Sequence, residues 1–256
     1  MQTLERPRFS DQSESFPQSE GVKNRLRGTL IIIGGGAKEA SLQAVADHLP
    51  VPKHLTVTTL ASPSDPEYQY GKCRDGMEKL GVTVSYLTNK KIEEEHEAYL
   101  TSETSGLFVT GGYQDLLMRR LNASRFSREL REYHTNGGTV IGTSAGASFM
   151  GGIMPLRDTY EEGFGFIPHI IDQHFSQKNR KSRLARLVAE FPDRIGIGID
   201  ENTAVVYHHT HMQVMGEGQV YVLESNGSSR LQEVVLRDGD VFDLSYYSSY
   251  TEAAAD

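Results

Sequence analysis

The chemistry of this chain starts at Thr139-Val-Ile-Gly-Thr-Ser-Ala-Gly-Ala-Ser148, where a short β-branched run is cut by glycine, serine and glycine. The pattern Gly142-x-Ser144-x-Gly146 reads as a nucleophile elbow, in which small residues allow a sharp strand-to-helix turn that leaves the serine Oγ exposed. A serine hydroxyl is a poor nucleophile unless a base takes its proton and a third group orients that base.

Among nine histidines, His174 is the candidate base. The segment Ile170-Ile171-Asp172-Gln173-His174 sets a polar triplet after an apolar, strand-like run, where a side chain emerges at a strand end. Two acids compete for the third position. Glu201 follows the alternating run Ile195 to Ile199, whereas Glu162 falls on the stretch between Ser144 and His174. A carboxylate held at a strand end is the better placed, so Glu201 is preferred and Glu162 is the alternative.

An oxyanion formed at the attacked carbonyl needs preorganised amide donors. The elbow supplies the N–H of Ala145, and Gly111-Gly112-Tyr113-Gln114, at another strand end, offers the amides of Gly112 and Tyr113. Downstream of His174 lies a basic run in which Arg180 and Arg183 carry planar guanidinium forks suited to a carboxylate.

His208, His209 and His211 are the one histidine cluster, but on a strand only 209 and 211 share a face and no cysteine stands nearby, so a hairpin turn is expected and no metal. Gly34-Gly35-Gly36 lacks the third glycine of a dinucleotide fingerprint; a tight turn with close backbone approach is the expected use.

These residues must be positioned by a sheet. Leu30–Ile33, 55–60, 82–87, the stretch 106–112 and the elbow strand that begins at Thr139 are buried-type strands alternating with helical segments at 38–48, 67–80, 114–122 and 127–135, the pattern of a parallel α/β sheet. From residue 195 the strands become short and closely spaced, and Asn226-Gly227 and Asp238-Gly239 are hairpin-type turn pairs. The expected architecture is therefore a three-layer α/β fold with a mostly parallel sheet flanked by helices and a C-terminal β-hairpin region. Residues 1–27 are expected to form a loose arm, and 28–250 a single catalytic domain.

Composition bounds the activity. A net charge of −8 argues against a general nucleic-acid binder and favours cationic substrates. One cysteine, Cys73, allows no internal disulfide. No apolar run approaches the roughly 20 residues of a membrane span, and residues 1–27 lack the apolar core of a secretory signal, so a cytoplasmic location away from membranes is expected.

Gly-Thr-Ser-Ala-Gly-Ala-Ser at 142–148, Asp-Gln-His-Phe-Ser-Gln at 172–177 and Gly-Ile-Asp-Glu-Asn-Thr-Ala at 198–204 together resemble the cyanophycinases, serine exopeptidases related to aspartyl dipeptidases. The resemblance covers about residues 28–245 and implies a class I glutamine amidotransferase-like fold and no cofactor. It further implies a homodimer that cleaves cyanophycin, a polyaspartate carrying arginine on its side chains, into β-aspartyl-arginine. By position it implies Ser144 as nucleophile, His174 as base and Glu201 as acid. It implies substrate-binding roles for Gln114, Asp172, Gln173, Lys178, Arg180 and Arg183. Tyr113 stands where the family usually has Asp or Asn, and Lys178 where it usually has Arg; the segment 149–171 is short. Action on short aspartyl peptides, or inactive binding of cyanophycin, are the competing expectations. The elbow serine, with Cys73 elsewhere, disfavours thiolate-dependent glutamine hydrolysis.

Overall fold

A computed structural model describes residues 28–94, 99–225 and 231–245. The expected arm at 1–27 and the Asn226-Gly227 turn lie outside the described residues. Strand β1 (Leu30–Ile33) passes through the glycine turn into α1 (Glu39–His48), followed by β2 (His54–Thr58), α2 (Pro66–Glu78), β3 (Thr83–Leu87) and α3 (Asn89–Glu93). Next come β4 (Gly106–Val109), α4 (Gln114–Asn122), α5 (Phe126–Thr135), β5 (Thr139–Thr143) and the elbow helix α6 (Ala145–Ser148). The remainder is β6 (Ile153–Pro155), β7 (Tyr160–Glu162), β8 (Ile170–Gln173), α7 (Lys181–Glu190), β9 (Gly196–Ile199), β10 (Thr203–His208), β11 (His211–Gly216), β12 (Val220–Ser225), β13 (Leu231–Leu236) and β14 (Val241–Asp243).

The strands form two sheets. An eight-stranded sheet has the order β14-β11-β10-β1-β5-β4-β2-β3, and its block from β1 to β3 is parallel throughout. The hairpin β10–β11 and β14 extend it in antiparallel fashion. A six-stranded sheet has the order β13-β12-β9-β8-β6-β7, in which β6, β8 and β9 are parallel and the rest antiparallel.

This second sheet is absent from the sequence reading, because short apolar runs do not say which neighbour they pair with. Asp238-Gly239 likewise closes no hairpin: β13 before it pairs with β12 and β14 after it pairs with β11, so the turn carries the chain between sheets. The histidine cluster does form the β10–β11 turn, with His209 at φ 54°.

Strand alternation sorts the core. Ile31 and Ile33 face the layer of α1 and α2, packing with Leu42, Val45 and Met77. Leu30 and Ile32 face the other way, into a core shared with Leu117 of α4, Leu130 of α5, Ala147 of α6 and Ile171, Ile197 and Ile199 of the second sheet. All four β1 residues are buried because both faces of a parallel sheet are covered.

The outer face of the second sheet is closed by α7. Leu184, Leu187 and Val188, three and four residues apart, meet Ile153, Ile170 and Phe175 there, while most of the basic residues of the helix turn outward. No helix among the described residues is long and apolar enough to cross a membrane.

Candidate active site

Ser144 leaves β5 with φ 55° and ψ −112°, a conformation costly for any residue with a Cβ and worth on the order of 1–3 kcal/mol of strain. The surroundings hold it there. The Ser144 amide donates to the Ile33 carbonyl at 3.1 Å, and the flanking glycines close the bend. A Cβ on Gly142 would overlap the Gly146 carbonyl, and one on Gly146 would overlap the Val109 carbonyl of β4.

His174 stands just past β8 and Glu201 just past β9, neighbouring parallel strands of the second sheet. Ser144 Oγ lies 2.9 Å from His174 Nε2, and His174 Nδ1 lies 2.5 Å from Glu201 Oε1. A proton on Nδ1, donated to Glu201, leaves Nε2 as the acceptor facing the serine. Burial, the largest influence, pushes the His174 pKa below its ordinary value. Glu201 opposes this, and the charges of Lys178 and Arg180 add to it. The imidazole is therefore neutral, and able to take a proton, at neutral pH.

Glu162 is exposed on β7, the outermost strand of its sheet, where it registers with Ile153. The carboxylate on His174 Nδ1 is that of Glu201 and not that of Glu162. Asp200 has another duty: its oxygens accept from the amides of Ser176 at 2.9 Å and Gln219 at 3.2 Å, fixing the loops that carry His174 and Glu201.

The glycine turn after β1 lies between base and acid. The His174 amide donates to the Gly34 carbonyl at 2.5 Å, the Gly34 amide to Thr203 at 3.0 Å and the Asn202 amide to Gly35 at 2.9 Å. Asn202, at φ 54°, also receives the Lys38 amide on its side-chain oxygen at 3.2 Å. Sequence reasoning missed Asn202. The available signal was an Asn beside a candidate acid, the residue type that tolerates positive φ.

Among the oxyanion candidates, the Tyr113 amide is already spent on the Ala61 carbonyl at 2.8 Å, which corrects its expected role. The amides of Gly112 and Ala145 donate to no acceptor among the described residues. Gly111 and Gly112 line the same cleft as Ser144 and His174.

The expected substrate-binding residues divide. Asp172 is fully buried and accepts Arg180 Nη1 at 3.2 Å, Arg183 Nε at 2.9 Å and Arg183 Nη2. Arg180 also donates to the Gln173 carbonyl at 2.5 Å, and Arg183 to that of Leu156 at 3.0 Å. Both guanidinium forks thus close on an internal carboxylate, so this triad is a brace behind β8, in place of the expected grip on a substrate carboxylate. Gln114 Nε2 donates to the Pro155 carbonyl at 3.1 Å, and Gln173 is buried with its Oε1 unpaired. Lys178 is exposed and its charge is felt by His174. Burial pushes the Cys73 thiol up to about 12, so no thiolate competes with Ser144.

The sequence profile of Peptidase family S51 matches residues 30–215. The chain belongs to peptidase family S51. It is similar to the cyanophycinase of Nostoc sp., at 30% identity over 85% of this chain and 83% of that one. A cyanophycinase of Synechococcus elongatus is 26% identical over 88% of this chain and 77% of its own length. In fold the chain resembles a peptidase from an acI-B1 actinobacterium, with a TM-score of 0.66 and 23% identity over 86% of this chain and 98% of that one. Family membership makes the protein a serine peptidase, and the elbow lies within the matched span.

Proposed function

We propose that this peptidase is a serine exopeptidase that hydrolyses cyanophycin to β-aspartyl-arginine through an acyl-enzyme. The carrying observation is the unbroken line from Ser144 Oγ to His174 Nε2 and from His174 Nδ1 to Glu201 Oε1, at 2.9 and 2.5 Å. The substrate assignment leans on the cyanophycinases to which the chain is similar.

In this reading Ser144 Oγ attacks the aspartyl carbonyl as His174 Nε2 takes its proton, and Glu201 stabilises the imidazolium. The amides of Gly112 and Ala145 hold the negative oxygen. Collapse breaks the C–N bond, and His174 returns the proton to the leaving amine. Water, deprotonated by His174, then attacks the ester and releases the product acid with Ser144 regenerated.

The test is incubation with purified cyanophycin and chromatography for β-aspartyl-arginine. Release of the dipeptide, abolished in Ser144→Ala, is expected. Cleavage of short aspartyl peptides with no release from the polymer overturns the substrate, and binding without cleavage of either overturns the peptidase reading.

A further inference from the structure

The cleft that opens on Ser144 and His174 holds about 360 Å³ and is walled by two further elements. On one side is the end of the glycine turn, Gly36 to Lys38; on the other is the face of α2 that carries Gln69, Lys72 and Cys73. In a chain of net charge −8, this lining contains two lysines and neither aspartate nor glutamate.

Among the described residues neither Lys38 nor Lys72 has a carboxylate partner. Lys72 Nζ sits 5.6 Å from the centroid of the Tyr68 ring. Lys38 is held in place through its backbone, whose amide is bound by Asn202 one residue beyond Glu201. Arg180 and Arg183, the cations expected to meet an acidic substrate, are occupied by Asp172. Two lysines without a carboxylate partner among the residues that line a cleft favour an anion there over a guanidinium, and the Glu201 carboxylate, beside Gly36, is turned to His174 Nδ1.

We propose that Lys38 and Lys72 form a carboxylate-binding subsite, which reads a free carboxylate on the side chain of the residue whose carbonyl Ser144 attacks. The placement relative to the attacked carbonyl rests on the catalytic reading above; the anion preference of the cleft does not. Two sources share this chemistry. One is the β-carboxylate of an undecorated aspartate. The other is the α-carboxylate of an arginine joined through its amine to the aspartate side chain.

The experiment measures affinity by calorimetry in the Ser144→Ala background, with Lys38→Met and Lys72→Met added singly and together. Two probe pairs are used: acetyl-aspartyl-alanine against acetyl-asparaginyl-alanine, and the aspartyl peptide bearing β-linked arginine against the same compound as its arginine amide. In at least one pair the acid should bind roughly tenfold or more tighter than its neutral twin, the scale of a hydrogen bond to a charged group, and the double lysine variant should erase that difference. The pair that shows the effect identifies the source. Equal affinity within both pairs, or equal loss for acid and neutral twin in the lysine variants, overturns the subsite. Parallel turnover assays with Ser144 intact separate the readings: an acid preference in binding with no hydrolysis of any probe or of cyanophycin sinks the catalytic reading and leaves the subsite standing.

Discussion

Gly35 and His174 are in contact across two sheets: a Cβ built on Gly35 would lie 2.5 Å from His174 Nε2, the atom that faces Ser144. Gly35 also has φ +107°, outside the range that L side chains adopt easily. Gly35→Ala should therefore push the imidazole off the serine. Turnover should fall by about 100-fold, since a misplacement of about 1 Å costs that much, while the strained backbone costs about 1–3 kcal/mol. Kinetics paired with a urea melt checks this. Turnover lost only in proportion to the unfolded fraction would show that the ring has room to move.

Glu201→Gln keeps the shape of the acid and removes its charge. Loss of imidazolium stabilisation and of the correct tautomer should lower kcat by on the order of 10²–10⁴-fold. Glu162→Gln, on an exposed edge strand, should leave kcat unchanged. The two variants assayed side by side on the same substrate decide the matter, and a larger loss at Glu162 would contradict the observed geometry.

The proposed mechanism requires neutral His174, whose pKa burial holds below 6.5. The rate should then be at its plateau at neutral pH and fall only as acidity passes that lowered value. Lys178 contributes to the lowering by its positive charge, so Lys178→Gln should raise the midpoint and move the acid limb to higher pH. A pH profile of kcat/KM for both proteins tests the sign. A midpoint that stays put or shifts downward would remove Lys178 from the electrostatics of the base.

Asp172→Asn would strand Arg180 and Arg183 against β8 without their carboxylate. Breaking a buried pair leaves uncompensated charge and costs about 3–5 kcal/mol. Denaturant unfolding at constant m-value should show a loss in that range. If stability is unchanged and only KM rises, the arginines serve substrate after all.

The local geometry was legible in the sequence. Gly142-x-Ser144-x-Gly146 at the end of a β-branched run specifies a bend because only glycine fits where the Gly146 carbonyl crowds residue 142. The alternation of apolar strands with helical segments specified the parallel block from β1 to β3, since each strand needs a covering layer on both faces. His174 and Glu201 could be named because each closes a short apolar strand.

What the sequence left open depends on pairing at a distance. Nothing local told Ile170–Gln173 and Gly196–Ile199 to leave the main sheet and form a second one, because short apolar strands carry no mark of their partner. Guanidinium groups look alike whether they await a ligand or close on a buried acid. Only the folding of α7 over β8 decided that Arg180 and Arg183 belong to Asp172. The same holds for Lys38 and Lys72, 34 residues apart by their numbers, which come to line one cleft through the packing of α1 against α2. Residue type and spacing thus determined which groups could react, whereas the tertiary structure decided which charges were left free to meet a substrate, because a charge is available only when no internal partner has neutralised it.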